Sequence, residues 1–402
     1  MDLLRRASLV LAILMLAALV PVRAGIADAP GADLEVSLVT YGPGDIYWER
    51  FGHDAIELRD RVSGEAVNFN YGVFDFDEKN FVLNFARGDM HYMMDAEPTA
   101  PEVDYYMEVG RSVTRQRLAL DANQAAELRD ALLWNLLPQN AGYNYDYYVD
   151  NCATRVRDAL DGAIGGALKT QLLARPGGMT YRQQTARLMS AQPWLMLLLD
   201  LGLGPYADQP LNAWQASFLP SVLQSQLRQV RIADPGGGTR PLVRDEQVLS
   251  PNRLNPPPAS PPDLRLPLGA AGLLLAALLV VSRKLWPTGH ALLGTVFLVV
   301  AGLVGLLLLA LWTLTSHHAA WANANLLLFN PLAFLLLPTL WRVRRGFAAS
   351  RFIDGVIAVQ LLAVLAAAAL HLLPGTMQQN QPWLLFALPC WLALAWSLRR
   401  RR

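Results

Sequence analysis

The stretch Tyr145–Asp158, which reads YDYYVDNCATRVRD, is the segment that the rest of the chain is expected to serve. It holds Cys152, one of only two cysteines among 402 residues. A helical pattern of apolar residues follows it, and Asp150 or Asn151 can cap that helix. Cys152 then lies in the first turn, where the helix dipole and free backbone N–H groups favour a thiolate. The pattern predicts a nucleophile at a helix start, and the alternative is a buried structural cysteine.

The composition predicts an exported protein with a membrane part. Hydrophobic residues make up 53% of the chain, which is too many for an ordinary soluble protein. The formal net charge of +1 argues against nucleic acid as a partner. Residues 1–29 are predicted to be a secretory signal peptide or an uncleaved N-terminal anchor, because two arginines precede the apolar run Ala7–Val20. Small residues ending at Ala24 or at Ala29 offer cleavage sites.

Residues 31–232 have the composition of a globular α+β domain. Strands are predicted at Leu34–Tyr41, Ala55–Leu58 and Ala66–Tyr71, with further strands at Phe81–Arg87 and Arg111–Leu120. Asp121 is the predicted N-cap of a helix over Ala122–Leu137. A third helical region, after the helix at Cys152, covers Tyr181–Leu201 and is interrupted at Pro193.

A linker and a membrane domain are predicted to follow. Residues 233–267 are rich in glycine and proline and are expected to pack no core of their own. Residues 268–398 are predicted to form five transmembrane helices. The apolar runs are Leu268–Val281, Leu292–Leu314, Leu326–Leu340, Phe352–Leu372 and Trp383–Leu398. The positive-inside rule puts the arginine loops and the C-terminus in the cytoplasm, and loops 315–325 and 374–381 on the side of the exported domain.

Cys152 requires a base, and the exported domain offers two histidines. His53 stands at the entry to a predicted strand, whereas His91 lies in a looser segment. We predict that His53 is the general base, the alternative being a surface or packed histidine. Antiparallel pairing sets Asn70, or by a two-residue slip Asn68, beside His53. Asn70 is predicted to orient the imidazole ring, and the alternative is that both asparagines make turn hydrogen bonds.

Substrate contacts are predicted in two places. Beside the cysteine they are Tyr148, Asn151 and Arg155. In loop 315–325 they are His317, Asn323 and Asn325, on the hypothesis that the loop holds phospholipid headgroups. The alternative for that loop is anchoring at the membrane interface. No metal and no cofactor are predicted, because the histidines lack ligand spacing and the sequence has neither a P-loop nor a serine elbow.

Four segments resemble the Lnb-type bacterial lipoprotein N-acyltransferases. They are Ser37–Leu58, Asn70–Gly72, Asn84–Gly88 and Asp150–Arg155. The resemblance covers residues 34–229 and implies an exported domain similar to a circularly permuted, papain-like NlpC-type cysteine peptidase, as in lecithin:retinol acyltransferase-like enzymes. It also implies that Cys152 is the nucleophile and His53 its base.

The resemblance implies a multi-pass protein of the bacterial inner membrane with its catalytic domain in the periplasm. An acyl chain would pass from a phospholipid to Cys152 as a thioester. It would then pass to the α-amino group of the diacylglyceryl-cysteine at a lipoprotein N-terminus. Two alternatives remain open: a cell-wall amidase or peptidase of the NlpC type, and a non-catalytic membrane-anchored binding module.

Overall fold

The computed structural model describes residues 24–75, 77–234, 236–372 and 378–398. The predicted signal or anchor therefore lies outside the described residues, except for positions 24–29. The chain divides into two compact units. The sheet unit comprises the described residues up to 85 together with 89–179 and 210–257. The helical unit comprises residues 86–88, 180–209 and the described residues from 258 onward.

The sheet unit contains most of the short elements. Its strands are β1 Leu34–Tyr41, β2 His53–Asp60, β3 Ala66–Val73, β4 His91–Pro98, β5 Val113–Leu118, β6 Gly142–Asn144, β7 Arg231–Ala233, β8 Thr239–Pro241 and β9 Val243–Ser250. The helices up to residue 230 are α1 Ala24–Asp28, α2 Phe81–Arg87, α3 Thr99–Glu108, α4 Ala122–Leu136, α5 Pro138–Ala141, α6 Cys152–Ala163, α7 Ala167–Leu173, α8 Tyr181–Leu188, α9 Pro193–Gly202, α10 Ala213–Ala216 and α11 Pro220–Leu227. Of these, α8 and α9 belong to the helical unit, and α2 ends in it.

Seven strands form one antiparallel sheet in the order β6-β4-β3-β2-β1-β5-β9. Alternating side chains of β1 and β2 face opposite sides of it, as the pleat of a strand requires. Leu38 and Ile56 pack in the larger core with apolar residues of α4 and α6. Val39 and Ala55 pack on the other face with Val103 of α3. The mixed α and β class is confirmed, and the two faces separate α6 from α3.

The residues 233–257 differ from the predicted linker. β9 pairs with β5 along an antiparallel register that includes Thr114↔Val248, and Leu242 is 1% exposed in the core. β9 is an edge strand with charged, mostly exposed side chains, so no apolar alternation marks it in the sequence. Backbone hydrogen bonding, which any non-proline residue can make, decides this strand.

The prediction of a strand at Phe81–Arg87 is wrong, because these residues form helix α2. A short apolar run does not distinguish a strand from a helix by periodicity. The strand predicted within Arg111–Leu120 is confirmed as β5, and the helix capped by Asp121 is confirmed as α4, with a complete capping box.

The helical unit contains five segments that are long and apolar enough to cross a membrane, as predicted. They are Arg265–Leu285, Pro287–Leu314, His318–Arg344, Arg351–Leu370 and Gln381–Leu398. We label the first two α12 and α13, the final α-helical part of the third (Leu337–Arg344) α14, and the last two α15 and α16. The rest of the third segment is built of short 3-10 turns. A Cβ atom on Gly272 of α12 would lie 2.5 Å from the carbonyl oxygen of Phe386 in α16, so glycine permits this close helix packing.

Candidate active site

Cys152 is the first residue of α6, as predicted. The side chain of Asn151 accepts a hydrogen bond from the backbone N–H of Thr154 at 2.9 Å. The Thr154 hydroxyl in turn accepts from the backbone N–H of Asn151 at 2.7 Å. This capping box fixes where the helix begins, and therefore fixes Cys152 in its first turn.

Asn151 and Tyr148 pack against the neighbouring backbone and Phe218 and so stabilise the start of α6. The amide of Asn151 donates to the carbonyl oxygens of Tyr147 and Phe218, each at 3.0 Å, and the residue is 5% exposed. Tyr148 is 4% exposed and packs edge-on against Phe218. Both side chains are buried, and both amide hydrogens of Asn151 are donated to the backbone. The structure therefore corrects the predicted substrate-binding roles of Tyr148 and Asn151 to structural ones.

Arg155 remains a candidate for contact with substrate. It is half-buried, its Nη2 donates to Asp150 Oδ2 at 2.7 Å, and its guanidinium lies 4.1 Å from the centre of the Tyr143 ring. These contacts hold a positive charge next to a ring that borders Cys152.

Gly72 near the end of β3 borders Cys152 and has a backbone conformation that requires glycine. Its φ of +93° suits glycine, and a Cβ there would lie 3.6 Å from Cys152 Cβ. The same added atom would lie 3.8 Å from Tyr145 Cε2 and 3.9 Å from the Tyr143 hydroxyl oxygen. Gly72, Tyr143 and Tyr145 therefore lie close together beside Cys152, which is half-buried.

Backbone N–H groups lie near the sulfur of Cys152. Those of Asp54, Cys152 and Ala153 favour its thiolate and so act to lower its pKa. Asp54 directly follows His53 in β2, so the helix start meets the sheet at the end of the strand that carries the histidine. In the described residues no hydrogen bond joins the side chains of His53 and Cys152, a bond that often forms only when substrate is present.

His53 is held by Asn70 and not by Asn68. His53 Nε2 lies 2.8 Å from Asn70 Oδ1. The pairing of β2 with β3 places Ala55 opposite Asn70, so the asparagine reaches the histidine diagonally. The His53 ring also stacks on Tyr41, with 6.0 Å between ring centres.

Glu102 in α3 fixes the orientation of Asn70. Its Oε2 accepts from Asn70 Nδ2 at 2.9 Å and from Asn68 Nδ2 at 3.0 Å. With its N–H group turned to the carboxylate, Asn70 presents only its oxygen to His53. His53 Nε2 therefore carries the proton, and Nδ1 is left to accept one. No local pattern marks Glu102 in the sequence, because it lies on a helix 32 positions beyond Asn70.

The charge states of the two candidate groups differ from the expectation. Burial lowers the pKa of His53 to about 4, although the bond to Asn70 opposes this. Burial, together with the charge of Asp54, raises the pKa of Cys152 to about 12 in spite of the three N–H donors. The structure thus contradicts the predicted thiolate: desolvation outweighs the helix start, and at neutral pH the pair is a thiol and a neutral imidazole.

Two polar atoms near Cys152 have no hydrogen-bond partner among the described residues. One is Oδ2 of Asp54, a fully buried residue whose Oδ1 accepts from the Thr40 hydroxyl at 2.6 Å. Burial raises the pKa of Asp54 to about 7. The other is the hydroxyl oxygen of Tyr143. Unpaired buried polar atoms are costly and are concentrated where a protein binds or transforms a ligand.

The predicted headgroup contacts in loop 315–325 lie in the helical unit. Asn323 and Asn325 are 2% and 0% exposed, and both donate to backbone carbonyl groups at the end of α9. These bonds overturn the prediction that the two asparagines line an open lipid site. His317 is half-buried in the same loop, whereas His91 is exposed at the start of β4.

Comparison with known families agrees with this division of the chain. The Lnb N-terminal periplasmic domain matches residues 23–189, and the Lnb transmembrane domain matches residues 263–398. No curated protein and no solved structure matches the chain. The two matches lie in the expected order and span the Cys152 site and all five candidate membrane segments. The chain therefore belongs to the Lnb family, as a membrane protein with a periplasmic domain and a transmembrane domain.

Proposed function

We propose that this protein is a thiol acyltransferase of the bacterial inner membrane. It would move an acyl chain from a phospholipid through a thioester on Cys152 to the α-amino group of a lipoprotein's N-terminal diacylglyceryl-cysteine. The observation that carries the proposal is the arrangement of Cys152, His53 and Asn70. A sulfur at a helix start lies beside the strand of a histidine whose ring is fixed by an asparagine.

In the first step the sulfur attacks the ester carbonyl carbon of the phospholipid. His53 Nδ1 takes the thiol proton as the new C–S bond forms, because the resting pair is neutral. The tetrahedral intermediate collapses when the C–O bond of the ester breaks. The imidazolium returns its proton to the departing oxygen, which leaves a lysophospholipid and an acyl thioester on Cys152.

In the second step the amine attacks the thioester carbonyl carbon. His53 takes a proton from the attacking nitrogen, the C–S bond breaks, and the sulfur regains a proton from the imidazolium. The products are an amide and the free thiol. One nucleophile and one base are enough for both transfers, since each step regenerates what the other consumes.

Two features of the site suit the negative charge that develops on the carbonyl oxygen. The N–H groups of Asp54, Cys152 and Ala153 lie near the sulfur, to which the reacting carbon would be bound. The unpaired hydroxyl of Tyr143 lies near Gly72, which also borders Cys152, and this hydroxyl can donate a hydrogen bond. Such donors, positioned before the reaction, stabilise an oxyanion in a site that excludes water.

The membrane topology supports the same proposal. In the sequence, arginines follow the first, the third and the fifth candidate spans, and we infer from the positive-inside rule that these connections are cytoplasmic. Phospholipid and lipoprotein then both meet the periplasmic domain at the membrane surface.

The test is the N-terminal structure of a lipoprotein made in cells that carry the wild-type protein, Cys152→Ala or Cys390→Ser as their only N-acylating candidate. Cys390 is a matched control because it is the other cysteine and is buried in α16. We expect mass spectrometry to show the N-linked acyl chain with wild type and Cys390→Ser, and to show a free amine with Cys152→Ala. Wild type incubated without acceptor should carry a hydroxylamine-sensitive acyl group on Cys152.

Two other results would point elsewhere. Release of free fatty acid or of cell-wall peptides without any amide would indicate a hydrolase. Full N-acylation with Cys152→Ala would exclude a role of this thiol and leave a binding module.

A further inference from the structure

Helix α9 lies in the stretch of sequence between the two matched domains, and large apolar side chains are exposed on its surface. It is a ten-residue helix, PWLMLLLDLG, with one charged residue. Trp194 is 65% exposed and Leu198, one turn later, is 55% exposed. Leu362 on the candidate span α15 is exposed by the same 65%. A continuous apolar face of this kind on a surface helix marks a site of contact.

The only charge of α9 is turned into the protein. Asp200 is 6% exposed and pairs with Arg182 of α8 at 3.2 Å. Its second oxygen accepts from the indole N–H of Trp383, at the start of α16, at 2.7 Å. The helix therefore keeps its polar group against the helical unit and leaves only apolar side chains outside.

The end of α9 is fastened to the first residues of the third candidate span, His318–Arg344. Asn323 donates to the carbonyl oxygens of Leu201, Gly202 and Leu203 at 2.9, 2.9 and 3.1 Å. Asn325 donates to Leu201 at 2.9 Å. The carbonyl groups that end a helix lack partners within it, and these amides supply them. α9 is thus held at the level where that span begins.

The chain path puts α9 on the periplasmic side. The periplasmic match runs to residue 189, and the chain re-enters the sheet unit at residue 210. With ten residues α9 is too short to cross a bilayer, which takes about 20. Its apolar face therefore lies at the periplasmic surface of the membrane.

We propose that α9 lies in the outer leaflet of the membrane, with Trp194 and Leu198 among the glycerol and upper acyl-chain groups of phospholipids. The partner of this face is lipid, because the helix is joined to the ends of membrane spans and carries no outward charge. Tryptophan is favoured at this depth. The protein then has a lipid-contacting element outside its five candidate spans, and the proposal holds whether or not the site at Cys152 transfers acyl chains.

The experiment places a fluorophore on single cysteines in the full-length protein that carries both Cys152→Ala and Cys390→Ser, with that cysteine-free protein as the blank. Leu198→Cys and Trp194→Cys probe α9, Leu362→Cys probes a span, and Val62→Cys probes an exposed turn of the sheet unit. The proteins are reconstituted into phosphatidylcholine vesicles whose lipids carry a nitroxide either near the headgroup or near the methyl end of an acyl chain. Iodide serves as the aqueous quencher.

We expect the shallow nitroxide to quench both α9 positions at least about twofold more than the deep one, as for a helix at the headgroup boundary. Iodide should quench Val62→Cys strongly and the α9 positions little. Strong iodide quenching of both α9 positions without lipid quenching would overturn the proposal, since the face would then lie in water. Protection from both quenchers would also overturn it and indicate that another protein surface, such as a second copy of the chain, covers α9.

Discussion

The sulfur of Cys152 is subject to opposite influences from adjacent groups. The N–H groups of the helix start stabilise a thiolate, whereas the buried carboxylate of Asp54 and the loss of water destabilise it. The result is a thiol that reacts only when His53 removes its proton. A group of this kind is protected from oxidation and alkylation until a substrate is bound.

Alkylation of Cys152 as a function of pH tests this balance. We expect the midpoint of iodoacetamide labelling to lie well above the value of about 8.5 for a free thiol, because burial and Asp54 raise the pKa of Cys152 to about 12. Asp54 titrates at about 7, so it is ionised at those pH values. Asp54→Asn removes the charge and should move the midpoint to lower pH. A wild-type midpoint below that of a free thiol would contradict the neutral pair.

A comparison of the rate losses caused by replacing Asn70 and Asn68 provides a second test. Asn70→Ala should lower kcat by at least about tenfold through loss of His53 orientation, and Asn68→Ala should lower it less. Glu102→Gln keeps the shape but lets the amide of Asn70 turn around, which offers His53 an N–H group and favours the wrong tautomer. We expect its kcat to fall while KM and folding stay close to wild type. Equal rates for Asn70→Ala and wild type would remove the orienting role.

The decrease of kcat/KM at low pH should report the pKa of His53. Its pKa is lowered to about 4, so the imidazole stays neutral and active as the pH falls until that value is approached. A soluble ester donor allows this measurement without a membrane. An acid limb near the ordinary histidine value of about 6.5 would mean that His53 is more hydrated than the structure indicates.

Removal of the unpaired hydroxyl of Tyr143 is expected to lower activity without lowering stability. Tyr143→Phe should lower kcat by about 10- to 100-fold if the hydroxyl donates to the oxyanion. It should not lower the thermal stability, because the atom has no bond to lose. Tyr71→Phe is the control: its hydroxyl accepts from Asn135 at 3.0 Å, so stability should fall and the rate should not. An unchanged rate for Tyr143→Phe would exclude the hydroxyl from the reaction.

Among the elements, α6 shows how a cap serves both folding and chemistry. Asn151→Ala removes the cap, at a cost of about 1 kcal/mol, and also leaves the carbonyl oxygens of Tyr147 and Phe218 without donors. Asn151→Ser keeps a capping hydroxyl and loses only the donors. We expect thermal unfolding to rank the stability as wild type, then Ser, then Ala. A serine variant as unstable as alanine would assign the whole effect to the amide donors.

The edge strand β9, unlike α6, has no local sequence pattern that predicts it. Arg117 of β5 is exposed, pairs with Asp245 at 2.7 Å, and lies in a ladder that closes the sheet on that side. An exposed ion pair of this kind contributes little stability by itself. The strand forms because its backbone groups make hydrogen bonds with those of β5. This pairing depends on two segments far apart in the sequence and cannot be recognised from either one alone.

At the scale of the whole molecule, buried amides of the helical unit join segments that lie far apart in sequence. Asn325 donates to Leu201 and accepts from Asn380 at 2.8 Å. Asn325→Ala should therefore lower the melting temperature, because each buried group left unpaired costs about 1–3 kcal/mol. Activity with a lipid donor and with a soluble donor should fall in the same proportion. Val359→Ala, at an exposed position of α15, serves as the control and should melt close to wild type. Selective loss with the lipid donor at an unchanged melting temperature would restore a headgroup role.

The sequence alone determined those features that depend on local order. Capping residues and periodicity located Cys152 at the start of a helix, and apolar length located five candidate spans. Residues adjacent in the chain were enough to suggest the Lnb family, which the two domain matches confirm.

Only the tertiary structure decided the features that depend on distant segments. The choice of Asn70 over Asn68 required the register of β2 and β3, and Glu102 entered the site from a helix on the other face of the sheet. The pKa of Cys152 followed from enclosure by groups that no motif connects. The same holds for Asn323 and Asn325, whose polar residue type suggested a surface role until their partners on α9 were known. Periodicity and capping act within a few turns of chain, whereas desolvation and side-chain pairing depend on every segment that packs around a group.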